Sequence, residues 1–122
     1  MQRVDVNLIV DREKEEEEEE EIVLARQKVS DLSGNRFVRH IELLVLRKYP
    51  RRYVSSTSYS GLVCSAVGRD NSGIVGIVLW SDDVERVKAG DAIRIVNGWC
   101  RQQDDQLVVS QGRFGRVEII ES

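Results

Sequence analysis

The sequence predicts an all-β domain: a small barrel of five strands with a short helical turn between the third and fourth, preceded by an acidic N-terminal segment. Three observations predict it. Beyond residue 35, short runs of residues alternate between apolar and polar, the period-two pattern of a half-buried strand. Clusters of Gly, Asn, Asp and Ser separate these runs and mark turns. A segment with helical character, Asp82 to Lys88, falls between the third and fourth runs. The 122 residues, 41% of them hydrophobic, fit one domain with one modest core.

Along the chain, Val4, Val6 and Leu8 alternate with polar residues and predict a short strand. Seven consecutive glutamates follow, Glu15 to Glu21. Glutamate favours helix, but like charges four residues apart repel, so the run reads as a salt-sensitive helix or a solvated linker. Ser30-Asp31-Leu32-Ser33-Gly34-Asn35 is a turn cluster at the entry to the domain. Arg36 to Arg47 is rich in strand formers and alternates imperfectly; it reads as a long curved strand, with a helix as the competing reading, and Pro50 ends it either way. Lys48-Tyr-Pro-Arg-Arg-Tyr53 is a basic-aromatic loop. Leu62 to Val67 is the second strand, Asn71-Ser72-Gly73 a hairpin turn, and Ile74 to Trp80 the third strand, in which Gly76 marks a bulge or a close approach. Asp82 to Lys88 is one helical turn capped by Asp82 or Ser81. Ala89-Gly90-Asp91 turns into Ala92 to Trp99, and Gln106 to Ser110 completes the sheet. Five strands with a short helix between the third and fourth describe the oligonucleotide/oligosaccharide-binding barrel, the OB-fold.

Charge is segregated. Residues 1–27 hold four Lys/Arg and ten Asp/Glu, and residues 28–122 hold 14 and 11, so a leader of charge −6 precedes a domain of +3, for the net −3. Such asymmetry accompanies polyanion binding or an interaction tail. The division expected is 1–27 as acidic leader and 28–122 as barrel. No run approaches the roughly 20 apolar residues of a membrane span, and the N-terminus has no apolar core of a signal peptide. Cys64 and Cys100 form no CxxC pair, and reduced thiols in an intracellular chain are expected, a single disulfide being the alternative. Cys64 belongs to a core strand, whereas Cys100 beside Trp99 reads as more exposed and oxidisable. His40 is the only histidine, which leaves little basis for a catalytic triad or a zinc site; it reads as a structural residue of the first strand. No enzyme activity, cofactor or metal is expected.

Several short motifs, in order, resemble the small single-stranded-DNA-binding proteins of archaeal type and their relatives in the replication protein A and sensor-of-ssDNA groups. They are Lys28-Val-Ser-Asp-Leu32, Asp70-Asn-Ser-Gly73, Ile77-Val-Leu-Trp80, Lys88-Ala-Gly-Asp91 with Ile93, Val96-Asn-Gly-Trp99, and Gly112 to Val117. The resemblance runs from about Lys28 to Ile120. It implies an OB-fold that binds single-stranded DNA without catalysis and with little sequence preference, in replication, recombination or repair. It also implies that Trp80 and Trp99 stack on bases. The third aromatic of these families, four residues after the second, is Gln103 here; Phe114 and Tyr53 are the candidates to replace it.

The residues themselves support part of this. If Ile77 and Leu79 point inward, alternation turns Trp80 outward. Ile93 and Ile95 inward would turn Trp99 inward as well, unless Gly98 hosts a bulge. Phosphates need cations, and Lys48, Arg51 and Arg52 lie in the loop after the first strand, with Arg69, Arg101 and Arg113 at turns or strand ends. The pairs Asp82-Asp83 and Asp104-Asp105 read as capping or solubilising turn residues. The partners expected are single-stranded DNA or RNA, with protein partners through the acidic leader. A protein-scaffold role for the barrel is the competing function, favoured by the missing aromatic, the low net charge and the leader.

Overall fold

The computed structural model describes residues 26–122. The strand expected near Val4 and the Glu15–Glu21 run lie outside the described residues. Within them the chain runs as a single 3-10 turn (Val29–Asp31), β1 (Arg36–Lys48), β2 (Arg52–Ser55), β3 (Ser60–Asp70), β4 (Gly73–Trp80), helix α1 (Asp83–Arg86), β5 (Ala92–Gln103) and β6 (Gln106–Glu121). The sheet order is β1-β5-β6-β4-β3-β2, and an additional β1–β3 pairing closes five of the strands into a barrel. All pairings between these strands are antiparallel except β4 with β6, which is parallel. β1 is therefore a strand and not the competing helix. β2 is a sixth strand within the loop after β1; it pairs only with β3, and alternating Arg52, Tyr53, Val54 and Ser55 suit a short edge strand.

Alternation builds the core. Val75, Ile77 and Leu79 of β4 are buried and Gly76, Val78 and Trp80 are half-buried, as a strand with one face inward requires. Ile41, Leu43 and Val45 of β1, Cys64 and Ala66 of β3, Ile93 and Ile95 of β5, and Val109 and Val117 of β6 meet them in one cluster. Burying an aliphatic side chain of this size contributes roughly 1.5–3 kcal/mol. Val84 of helix α1 and Val87, the residue that ends it, join the same cluster. The N-cap position of α1 is Asp82, but the side chain makes no capping bond, so the cap expected of Asp82 is not formed.

Two turns match their motifs closely. At the β3–β4 hairpin, Asp70 Oδ1 accepts from the Ser72 amide at 2.7 Å, the Ser72 hydroxyl at 2.6 Å and the Gly73 amide at 3.2 Å. Its other oxygen accepts from the Val29 amide at 2.8 Å, and the Ser30 amide donates to Ser72 Oγ at 3.0 Å, which clasps the entry segment to the hairpin. In Lys88-Ala-Gly-Asp91, the Asp91 carboxylate accepts from the Lys88 amide at 2.9 Å, while Gly90 N and Asp91 O bond Val45 at 2.7 and 2.8 Å. Gln27 bridges to β1, its amide donating to the His40 carbonyl and its side-chain oxygen accepting from the Arg39 amide, both at 2.7 Å. Arg26 pairs with Glu42 at 3.1 Å.

One irregularity decides which face Trp99 occupies. β1 and β5 change phase together: Ile41 and Ile95 pair facing inward, whereas nearer the other end Val38 pairs with Gly98 inward and Phe37 with Trp99 outward. The change in β5 occurs at Asn97, which adopts φ 54 in the left-handed region that Asn tolerates. Opposite it, β6 detours: Gly98 pairs with Gln111 and Val96 with Arg116, leaving residues 112–115 facing Asn97 alone. A Cβ at Gly112 would sit 2.4 Å from the Asn97 carbonyl oxygen, and one at Gly115 2.3 Å, so the two glycines of GRFGRV are needed for backbones to pass here. The same phase change buries Cys100, which is 0% exposed, correcting the expectation of an exposed thiol.

Candidate nucleic-acid interface

The outer face of β5, β6, β4 and β3 is a ladder of rungs fixed by strand pairing. In one rung, Phe37 pairs with Trp99, Trp99 with Ser110, Ser110 with Val78, and Val78 with Ser65. In the next, Arg101 pairs with Val108, Val108 with Gly76, Gly76 with Val67, and Val67 with Arg47. On the other side of the first, Trp80 pairs with Val63 and Val63 with Arg52. Trp80 is two residues from Val78 along β4, so both tryptophans stand on this face in adjacent rungs.

The middle of the face is a groove of about 600 Å3. Val67, Gly76, Val78 and Val108 form its floor, Tyr49 one wall and the β5–β6 turn, Gln103 to Gln106, the other. Gly76 carries no side chain and leaves the middle of the floor open. Its Cβ would meet Val108 Cγ2 at 3.2 Å, so Gly76 marks a close approach of β4 to β6. Arg101 and Arg47 terminate the groove's rung at either end. Arg47 also stands over the ring of Tyr49, 5.1 Å from its centroid. The groove wall includes Asp104 and Asp105, so these acidic residues sit beside the candidate site in addition to making the turn.

The candidate residues do not all meet. Trp80 is half-buried, its ring edge-on to Tyr59 at 4.9 Å and 81°. Trp99 is 42% exposed and its cross-strand neighbour Phe37 56%. Phe114, 86% exposed, stands on the 112–115 detour with the Arg113 guanidinium 5.6 Å over its ring. Tyr53 is exposed on β2 opposite Leu62, one residue out of phase with Arg52 and therefore turned away from the Trp80 rung. Lys48 pairs with the core residue Ala66 and donates to the Val84 carbonyl, and Arg51 is ion-paired with Glu85; both cations are tied to α1 and its surroundings. Arg69 pairs with Ile74 near the hairpin, roughly 20 Å along the strand from Trp80. Arg52 and Arg101 are exposed on the face itself.

Sequence reasoning passed over Phe37, Arg47, Tyr49 and Tyr59 as site residues. Tyr49 lay within the basic-aromatic loop already noted. Phe37 and Arg47 carried no local signal, because only the pairing of β1 with β5 and β3 brings them to the face.

No protein-family model matches the chain, and no curated protein matches it. Solved structures do. The second OB-fold domain of replication protein A from Methanococcus maripaludis is 26% identical, with a TM-score of 0.66 over 80% of this chain and 96% of that one. This chain folds as an OB domain, and it is similar to those of archaeal replication protein A. A replication protein A heterotrimer bound to ssDNA contains a chain 17% identical, with a TM-score of 0.59 over 79% of this chain and 25% of that one. Schizosaccharomyces pombe Pot1pC, solved bound to ssDNA, is 11% identical with a TM-score of 0.56, covering 79% and 86%. In the OB-fold, the barrel face and the loops flanking it are the usual ligand surface. Among the described residues, no helix is long and apolar enough to cross a membrane.

Proposed function

We propose that this chain is a non-enzymatic module that binds single-stranded DNA, with little sequence preference, along the outer face of β5, β6, β4 and β3. The observation that carries the reading is that Trp80 and Trp99 stand on one outward face, in adjacent rungs beside the groove, Trp99 exposed and Trp80 half-buried. Bases stack on the two indoles, and each stack contributes roughly 1–3 kcal/mol whatever the base. Arg47, Arg52 and Arg101 border the same face and meet phosphates; Phe114 with Arg113 offers a further platform beside β6. Lys48 and Arg51 contribute less, since their charges are already engaged. Replication, recombination or repair is the setting in which such a module acts.

The two acidic residues of the groove wall, Asp104 and Asp105, favour a second reading, in which the face takes a basic protein segment and the barrel scaffolds an assembly. Binding of a fluorescently labelled oligo-dT, followed by anisotropy at several salt concentrations, separates the two. Nucleic-acid binding predicts an affinity that falls steeply with salt as counterions are released, and that drops in Trp99→Ala. An absence of binding at low salt excludes it. Repeating the titration with oligo-U tests whether RNA serves equally well.

A further inference from the structure

We propose that Tyr59 is the positioning residue of this interface: it holds Trp80 in its base-stacking orientation and ties that orientation to the loop between β1 and β3. The inference rests on the single-strand-binding reading above. A phenol has one proton to donate and two lone pairs to accept with. Tyr59 uses all of them. Its hydroxyl donates to the Leu62 carbonyl at 2.7 Å and accepts from the Ser81 amide at 3.1 Å, an N–H that it shares with the Leu62 carbonyl at 3.0 Å. The Ser81 hydroxyl, 3.0 Å away, donates the third bond, since the phenolic proton is already committed. Ser81 is the residue immediately after Trp80, and it stands in the left-handed region at φ 55. The phenol thus grips the backbone at the point where β4 ends, and its ring meets the Trp80 indole edge-on.

The other side of Tyr59 is equally fixed. The Ser56 amide donates to the Tyr59 carbonyl at 2.8 Å, and the Tyr59 amide donates to Ser56 Oγ at 3.1 Å, a closed turn directly after β2. At Gly61 the backbone has φ 154, and a Cβ there would lie 2.7 Å from the Tyr59 hydroxyl, so the missing side chain at 61 makes room for the phenol. Tyr59 is therefore the bolt between two parts of the face: Trp80, which stacks, and the β2 segment, which presents Arg52 across Val63 from Trp80. An unanchored indole at a strand end samples several rotamers, and ordering it on binding costs affinity. An indole already held avoids that cost.

A double-mutant cycle tests this, because a residue that acts through Trp80 has nothing to act on once Trp80 is gone. The affinity for labelled oligo-dT is measured in wild type, Tyr59→Phe, Trp80→Ala and the double variant, with thermal melts alongside. Tyr59→Phe is expected to weaken binding by roughly three- to tenfold, the scale of a lost set of hydrogen bonds and a loosened aromatic pair. The same change in the Trp80→Ala background is expected to have no effect. Ser81→Gly suits the positive φ and removes one of the three bonds, so it is expected to weaken binding in the same direction by less. In a Trp99→Phe background without DNA, acrylamide quenching of Trp80 is expected to rise when Tyr59 becomes Phe. Wild-type affinity in Tyr59→Phe, or an equal loss with and without Trp80, overturns the positioning role while leaving single-strand binding intact. Failure of wild type to bind oligo-dT at low salt removes the underlying reading itself.

Discussion

At the scale of single residues, the interface depends on which side chains the backbone turns outward. Trp99 and Cys100 are neighbours with opposite fates, one on the face and the other wholly buried. Burial pushes the Cys100 thiol above its ordinary range, and it does the same to Cys64, where the Lys48 charge pulls weakly the other way. Both thiols are therefore expected to resist alkylation at pH 8 in the folded protein and to react only on denaturation, as a thiol-reactive reporter with and without urea would show. Asp104 and Asp105 carry negative charge into the groove wall, next to where a polyanion would lie. Replacing both with Asn keeps the turn, because Asn suits the φ of 55 at position 104. It is expected to tighten binding of oligo-dT several-fold at low salt, with the gain shrinking as salt rises. Unchanged affinity in that double variant would place the strand away from this turn.

Among the elements, β1, β5 and β6 are joined on their outer side by a ladder of charge. Glu42 accepts from Arg94 at 2.9 Å, and Arg94 donates to Glu118 at 3.3 Å, with Arg26 and Arg116 at the flanks. Burial raises the Glu42 carboxyl, but hydrogen bonds from Arg94 and Arg26 outweigh it and hold it below the usual carboxylate range. Glu118 is likewise raised by burial and lowered further by Arg116 and Arg94. A folded-state value below the unfolded one gives stability that is fully present above the ordinary glutamate range, near pH 4.3, and is lost as pH falls through and below it. These pairs are partly exposed, so the contribution is small, on the order of 1 kcal/mol or less each. The melting temperature is expected to fall as pH drops from 5 to 3, by less in Arg94→Gln than in wild type. The turn elements follow the same logic. Burial raises Asp70, while the Ser72 hydroxyl and the Val29, Ser72 and Gly73 amides lower it more. Asp70→Asn is expected to loosen the entry segment and cost about 1–2 kcal/mol in a urea melt, since a carboxylate accepting several amide bonds is lost.

For the whole molecule, the fold was legible because it is written in local terms. Alternation in Ile74–Trp80, the Asp70–Gly73 hairpin and the Lys88–Asp91 turn each act within a few residues, and together they order a barrel. Trp80 was legible for the same reason. Trp99 was not, because its direction depends on a phase change at Asn97 that only the opposing detour of β6 creates. Strand β2 was hidden in a loop by its brevity, and Phe37 and Arg47 reach the face through partners some sixty and twenty residues away in sequence. The charge asymmetry belongs to this scale as well. Residues 1–25 hold three Lys/Arg and ten Asp/Glu, a charge of −7 ahead of the barrel. Deleting them leaves Arg26 and Gln27 to hold β1, and it is expected to tighten binding of oligo-dT at low salt and to make no difference at high salt, where charges are screened.

The central claim is that one face stacks bases on Trp80 and Trp99, and the chain contains no other tryptophan to confuse the signal. Intrinsic tryptophan fluorescence during titration with an oligo-dT of about 20 nucleotides reads that contact directly. The account predicts strong saturable quenching that weakens with salt and is reduced in both Trp99→Ala and Trp80→Ala, because each leaves one stacking indole. No quenching at low salt, including in a protein lacking residues 1–25, would contradict it.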